Sequence, residues 1–204
     1  MKLRSGGWGP KLIWTLGAAI LVVALFPWHR GWSGPLAPSG TFASGPGLAG
    51  IQPLPAVERE VLRLTNDTRR QHGLPPLTAD PGLAAVARQH SLDMLRRRFF
   101  SHLNPEGRSL QERLPPASAA RLSRWGENIW TGSGYNPGDV PALARVIMDS
   151  WLSSPGHRRN ILTPGFTCLG VGVAGAGREV RATQVFATVG PGGSPSPIAP
   201  QSRP

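Results

Sequence analysis

Cysteine is almost absent from this chain of 204 residues, where Cys168 stands alone. A lone thiol excludes an intramolecular disulfide and leaves the redox compartment unmarked. Beside the apolar run that begins at Leu169, it reads as a small buried hydrophobe. Acidic residues are scarce as well, 11 against 22 Lys and Arg, with none before Glu58 and none after Glu179. Residues 51–190 carry all 11 acids against 17 arginines, a balance of +6. Such a surface favours an anionic partner such as a lipid headgroup, a cell-wall polymer or a nucleic acid, although arginines spread over helices also make an ordinary solvated face. No compact basic run with interleaved aromatics is present, which speaks against nucleic acid. The common catalytic signatures are missing too. There is no H-E-x-x-H for a zincin, no G-x-S-x-G nucleophile elbow, no P-loop glycine pattern and no paired C-x-x-C.

What is present begins with a targeting signal. Lys2, Arg4 and Lys11 precede LIWTLGAAILVVALFPW (12–28), a run without charge. As a helix it would span about 25 Å, at the short end of what crosses a bilayer. Trp14, Trp28 and Trp32 lie near its ends, where interfacial aromatics are usual. The basic flank predicts a cytoplasmic N-terminus and export of the chain beyond the apolar run. No small-x-small cleavage site comes directly after the run, and no cysteine offers a lipid anchor, so residues 1–30 read as an uncleaved signal anchor in preference to a signal peptide. Residues 31–55, rich in Gly, Pro and Ser, read as a spacer, and residues 191–204 as a disordered tail.

The domain lies between them, at 56–190. Val57, Val61, Leu64 and Thr68 recur at helical spacing until Gly73, Pro75 and Pro76 stop the pattern. Asp80 with Pro81 starts a second helix, along which Leu83, Val86, Ala87, His90, Ser91 and Met94 share a face. A short amphipathic piece, RSLQERL (108–114), precedes a loop and the stretch RWGENIW. Pro141 opens another helical segment with Leu143, Val146, Ile147 and Trp151 on one side. Ser154 and Pro155 then read as the N-cap and first residue of a further helix. After Pro164 the period changes. Leu169, Val171 and Val173 alternate with glycine, VRATQVFATV (180–189) is rich in β-branched residues, and AGAGRE (174–179) joins them as an antiparallel hairpin. Helices first and a hairpin last predict an α+β layered fold.

The residues able to do chemistry sit in FFSHLNPEG around His102, RWGENIW around Glu127 and SSPGHRRNIL around His157. Two imidazoles and a carboxylate suit a divalent transition metal with positions left open for water, and they equally suit acid–base work near neutral pH. Their separations, 25 and 30 residues, are too long for a local metal motif.

In chain order, VLRLTNDTRRQHGLPPL, LAAVARQHSLDML, FFSHLNPEG, WGENIW, VIMDSWLSSPGHRRNIL, FTCLGVGVA and TQVFA resemble the signature segments of the CAP superfamily. That superfamily groups the cysteine-rich secretory, antigen 5 and pathogenesis-related proteins, and the resemblance is greatest to its bacterial SCP-like branch. It covers about residues 56–190. It implies an α-β-α sandwich around a small antiparallel sheet, with a cleft where two histidines and two glutamates gather and, in some members, bind zinc or another cation. Carried over residue by residue, His102, Glu127 and His157 become cleft residues, and the same three the ligands of a divalent cation such as Zn2+. The fourth position departs from the pattern: three residues after Trp151, where fuller members have glutamate, stands Ser154. That loss removes an acidic ligand and a candidate base.

Blander roles stand beside these. The two histidines suit a local hydrogen-bonding role such as fixing the GENI turn, and Glu127 suits a structural carboxylate that accepts backbone N–H groups. Ser154 suits a plain N-cap, and His90 a satisfied structural histidine. Asn66, Arg69 and Gln184 are expected to stabilise the domain. The function favoured is an exported, membrane-tethered binding module whose cleft takes a cation, a lipid or a cell-envelope ligand, outside the cytoplasmic membrane. The alternatives are a hydrolase or protease using His102, His157 and Glu127 to activate water, directly or through a metal, and a structural surface domain with a vestigial cleft.

Overall fold

The computed structural model describes residues 50–190. The apolar segment 12–28, the tail 191–204 and most of the spacer lie outside the described residues. The end of the spacer does not. Ile51–Pro53 forms a strand, β1, paired antiparallel with the end of a later strand, and the first helix starts at Pro55, so the domain opens earlier than residue 56. The remaining elements are α1 (Pro55–Gln71), β2 (Thr78–Ala79), α2 (Pro81–Arg96), α3 (Leu110–Arg113), α4 (Pro116–Ala120), β3 (Leu122–Gly132), α5 (Val140–Ser153), α6 (Pro155–Ile161), β4 (Cys168–Ala176) and β5 (Glu179–Val189).

Five strands form the sheet, four of them in the order β1-β4-β5-β3 and the fifth, β2, in a short parallel pair with β4. Helix α2 covers one face, while α1 and α5 pack together on the other. This is an α-β-α sandwich with a small, mainly antiparallel sheet. Trp151, Phe186, Val173, Ile147 and Val61 fill the α1/α5 side, and Leu83, Ala87, Val185 and Cys168 the α2 side. Cys168 is buried, as its apolar setting predicts.

The alternation of glycine in β4 has a steric cause. A Cβ built on Gly170 would lie 2.2 Å from the backbone of Leu83 and Ala84, and one on Gly172 2.0 Å from that of Arg88. Helix α2 therefore rests directly on the strand, and no side chain can stand between them. Its N-terminus is set by Asp80, whose carboxylate accepts the Leu83 N–H at 2.9 Å.

The RWGENIW stretch departs from expectation. It belongs to the 11-residue strand β3, antiparallel to β5 with Glu127 opposite Val185 and Asn128 opposite Gln184. Gly, Glu and Asn are poor strand formers. The conformation is imposed by the β5 ladder and by side chains of α5 and α6: Asn160 donates to the Glu127 carbonyl at 3.2 Å, and the Trp151 indole to that of Ile129 at 3.0 Å. The four-residue α3 is shorter than the RSLQERL pattern, and α4 carries no helical period that would announce it.

Candidate functional site

Because side chains alternate along a strand, β3 sends Glu127 and Asn128 to opposite faces of the sheet. Glu127 faces the α2 side. Its Oε1 lies 2.8 Å from His102 Nδ1 and its Oε2 accepts from Arg113 Nη2 at 2.6 Å. The carboxylate is 6% exposed and the Arg113 side chain 10%, so the ion pair is withdrawn from water. The His102 side chain is 53% exposed, which leaves its Nε2 edge open. Burial opposes ionisation of Glu127, but the His102 hydrogen bond and the Arg113 guanidinium outweigh it and hold the carboxyl below its usual range.

His102 belongs to the segment between α2 and α3, and that segment is pinned from below. Its neighbour Ser101 offers a carbonyl to His90 Nε2 at 3.0 Å, and the carbonyl of His102 itself accepts from Arg113 at 3.2 Å. Asn104 closes the far side, accepting the Arg108 N–H at 2.8 Å. His157 comes from the other side of β3, on the first turn of α6. Its carbonyl accepts from Asn128 Nδ2 at 3.1 Å, while its ring makes no hydrogen bond among the described residues. Burial, reinforced by the nearby His102, lowers the proton affinity of His157.

Glu127 is not held by backbone N–H groups, because two side chains take both its oxygens. His102 bonds that carboxylate in preference to fixing a turn, and no turn exists there to fix. Ser154 stands at the N-cap position of α6, yet its hydroxyl makes no capping bond, and only its carbonyl closes the first turn, accepting from Arg158 N–H at 2.8 Å. Pro155 sets the helix start instead, because its fixed φ suits the first turn. No hydrogen bond joins Ser154 to His102, Glu127 or His157.

A three-ligand cation site does not fit this arrangement. Among the described residues no group of three or more His, Cys, Asp or Glu side chains stands where it could hold a metal ion. A guanidinium 2.6 Å from Glu127 Oε2 also occupies, in charge and in space, the place a cation would take on that oxygen.

Arg113 and Asn160 carry much of the site, and spacing alone does not single them out. Arg113 is one arginine among 17 in the domain, on a helix of four residues. Asn160 comes three residues after His157, and its amide meets Asn128 Oδ1 at 2.9 Å. Arg113 also lines an open cavity of about 560 Å3 with His90, Gln89, Asn104 and Arg108, so the site and this cavity share a wall.

The residues expected to stabilise the domain do so. Asn66 exchanges two hydrogen bonds with the Leu77 backbone, at 2.8 and 3.0 Å. Arg69, fully buried, donates to the carbonyls of Pro75, Ile161 and Thr163. Gln184 donates to Thr65 Oγ1 at 2.7 Å. His90 is structural and 2% exposed, but only half satisfied, since its Nδ1 has no partner.

Comparison with known proteins accords with this frame. An uncharacterised membrane protein of Bacillus subtilis, YlbC, is 40% identical over 116 residues, which is 57% of this chain and 31% of that one. An uncharacterised B. subtilis protein, YkwD, is 36% identical over 60% of this chain and 44% of its own. The chain thus spans less than half the length of these relatives. An extracellular SCP-domain protein of Bacillus anthracis superposes with a TM-score of 0.53 at 33% identity, over 66% of this chain and 41% of that one. An outer surface protein of Borrelia burgdorferi shares the fold alone, with a TM-score of 0.56 at 16% identity over 66% of this chain and 93% of its own. The sequence profile described as "CAP: Cysteine-rich secretory protein family" matches residues 62–188, more than half of the chain. The chain therefore belongs to the CAP family of cysteine-rich secretory proteins.

Proposed function

We propose that this is an exported CAP-domain protein, tethered to the cytoplasmic membrane through residues 12–28, and that its domain binds an acidic cell-envelope ligand in a cleft formed by His102, Glu127 and His157. One observation carries the reading. Arg113 neutralises Glu127 inside the site, so the cluster offers two imidazoles with open ring nitrogens and no free negative charge. Residues 51–190 carry a formal charge of +6, whose field draws anions in and fades with salt. That a B. subtilis relative is named a membrane protein and a B. anthracis one extracellular supports the placement.

The test is retention on isolated bacterial envelope fractions. Wild type should be retained at low salt and released as salt rises. A His102→Ala, His157→Ala double variant with unchanged near-ultraviolet circular dichroism should be released at lower salt. Equal retention of the two would sink the reading.

A second reading rests on the His102–Glu127 pair itself. With Nδ1–H directed at the carboxylate, Nε2 is left as an acceptor that can take a proton from water. Under this reading the domain is a hydrolase, and Glu127→Ala should abolish the turnover that wild type shows on peptide, ester or glycan substrates. Identical rates in the two proteins would reject it.

A further inference from the structure

The segment between α2 and α3 has a second face that the site does not use. Phe100 and Leu103, 49% and 48% exposed, are the large hydrophobic side chains that the described residues leave open, and they lie three positions apart in one loop. The loop is tied down along its length. Phe99 N–H bonds the Met94 carbonyl at 3.1 Å, Leu103 N–H the Ser101 hydroxyl at 3.1 Å, and Asn104 N–H the Arg108 carbonyl at 3.1 Å. The two side chains are therefore held in water by an ordered backbone.

Positive charge flanks them in the sequence. From Arg96 to Arg108 there are four arginines and one acid, Glu106, which is already bonded to Arg97. Among the described residues Arg96, Arg98 and Arg108 form no ion pair. Arg98 is the position that tells most. Helix α1 ends in a left-handed Gly73 at φ 68, with the adjoining Leu74 N–H bonded back to the Arg69 carbonyl. Helix α2 ends in the same 6→1 closure, Phe99 N–H to Met94 carbonyl, but Arg98 occupies the left-handed position at φ 54. That conformation costs a non-glycine residue about 1 kcal/mol or more. Arginine stands where glycine would relieve strain, two residues before an exposed phenylalanine.

We infer that the stretch from Arg96, the last residue of α2, to Arg108 is a docking surface for an anionic lipid bilayer, with Phe100 and Leu103 entering the interface and Arg96, Arg98 and Arg108 lying against the headgroups. Two exposed apolar side chains in a segment with exposed arginines that form no ion pair match the two layers of such a surface, acyl boundary beneath and phosphate above. A neutral apolar protein groove would leave those arginines facing apolar surface without partners. His102 lies between Phe100 and Leu103, so docking would bring the site to the headgroups. Docking of this kind depends on the loop alone, whether or not the cleft takes a ligand.

The test uses the full chain with vesicles of phosphatidylcholine, or of phosphatidylcholine mixed with phosphatidylglycerol, and reads amide hydrogen exchange of residues 97–104. Residues 12–28 are expected to hold the chain on either vesicle, so exchange within the loop is the deciding readout. Wild type should show slowed loop exchange on anionic vesicles and none on neutral ones. In F100S/L103S the docked-to-undocked ratio should fall about tenfold or more, with exchange of β4 and β5 unchanged. R98Q/R108Q should lose the dependence on phosphatidylglycerol. Loop exchange that is the same on both vesicles overturns the inference without any variant, as does full protection in F100S/L103S.

Discussion

Glu127 and Asn128 are neighbours on β3, yet they belong to different kinds of network. Asn128 joins a closed one. Its amide donates to the His157 carbonyl and to Gln184 Oε1, its oxygen accepts from Asn160, and Gln184 passes the chain on to Thr65 and thence to the Val61 carbonyl. Every bond ends inside the protein, where low polarity makes each worth having and an unmade one costly. Glu127 joins an open network, in which Arg113 and His102 satisfy the carboxylate while the outer edge of His102 and the ring of His157 have nothing to bond among the described residues. Networks that close upon themselves specify structure, and networks that stop at water are available to a ligand. One residue of register separates the two.

That contrast can be broken from the closed side first. Asn128→Leu removes a bond from Asn160, from Gln184 and from the His157 carbonyl at once, and at about 1 kcal/mol for each bond lost the stability should fall by about 3 kcal/mol. Urea denaturation measures it, and a loss within error would mean that the network does not hold the sheet. Next, Arg113→Met takes the guanidinium from the buried Glu127 carboxylate while His102 still bonds its other oxygen, a loss of about 2–3 kcal/mol, as for a hydrogen bond to a charged group. The same variant should raise the Glu127 pKa, read by carboxyl chemical shift. An unchanged shift would remove Arg113 from the account. Metal analysis of wild type belongs beside it and should find no stoichiometric zinc. Zinc that disappears in a His102→Ala, His157→Ala variant would show instead that the site opens to a cation.

Acid gives a third, graded test. His90, beneath the His102 segment, has its proton affinity lowered first by burial and then by Arg113. The folded protein therefore takes up this proton later than the unfolded chain does. Its contribution is present above about pH 6.5, the unfolded value, and declines as pH falls below it toward the lower folded value. Stability measured between pH 7 and pH 5 should fall, and His90→Leu should flatten the slope. An identical slope in the variant would place the acid sensitivity elsewhere. The smallest effect belongs to the open side. His157→Ala should change stability by no more than about 0.5 kcal/mol, as for other partly exposed side chains that lack a hydrogen-bond partner, while weakening retention on envelope fractions. A large destabilisation would move His157 into the structural class.

Much of this was legible before the fold. The helical period from Val57 to Thr68 found α1, Asp80 with Pro81 marked the start of α2, and β-branched alternation marked the β4–β5 hairpin. The motif resemblance supplied the family, its sandwich, and His102, Glu127 and His157. Other features escaped for physical reasons. RWGENIW did not read as a strand because its residues have little strand preference, and pairing with β5 supplies what propensity lacks. Ser154 read as a cap because of its type and place, but a serine at that position need not turn its hydroxyl toward the helix. Arg113 was invisible because a charged residue on a short exposed helix looks the same whether it meets solvent or a buried carboxylate.

The sequence by itself determined where the long helices and the terminal hairpin run and which chemistry is on offer, since propensity, period and capping are local and each is written in a few adjacent residues. Tertiary structure alone decided what Glu127 is bonded to. Its partners come from 25 and 14 residues away, from the segment and short helix that follow α2, and no local rule of the chain brings them within hydrogen-bond range. A carboxylate in a sequence is a candidate ligand for a cation, and beside a buried guanidinium it is no longer free to be one.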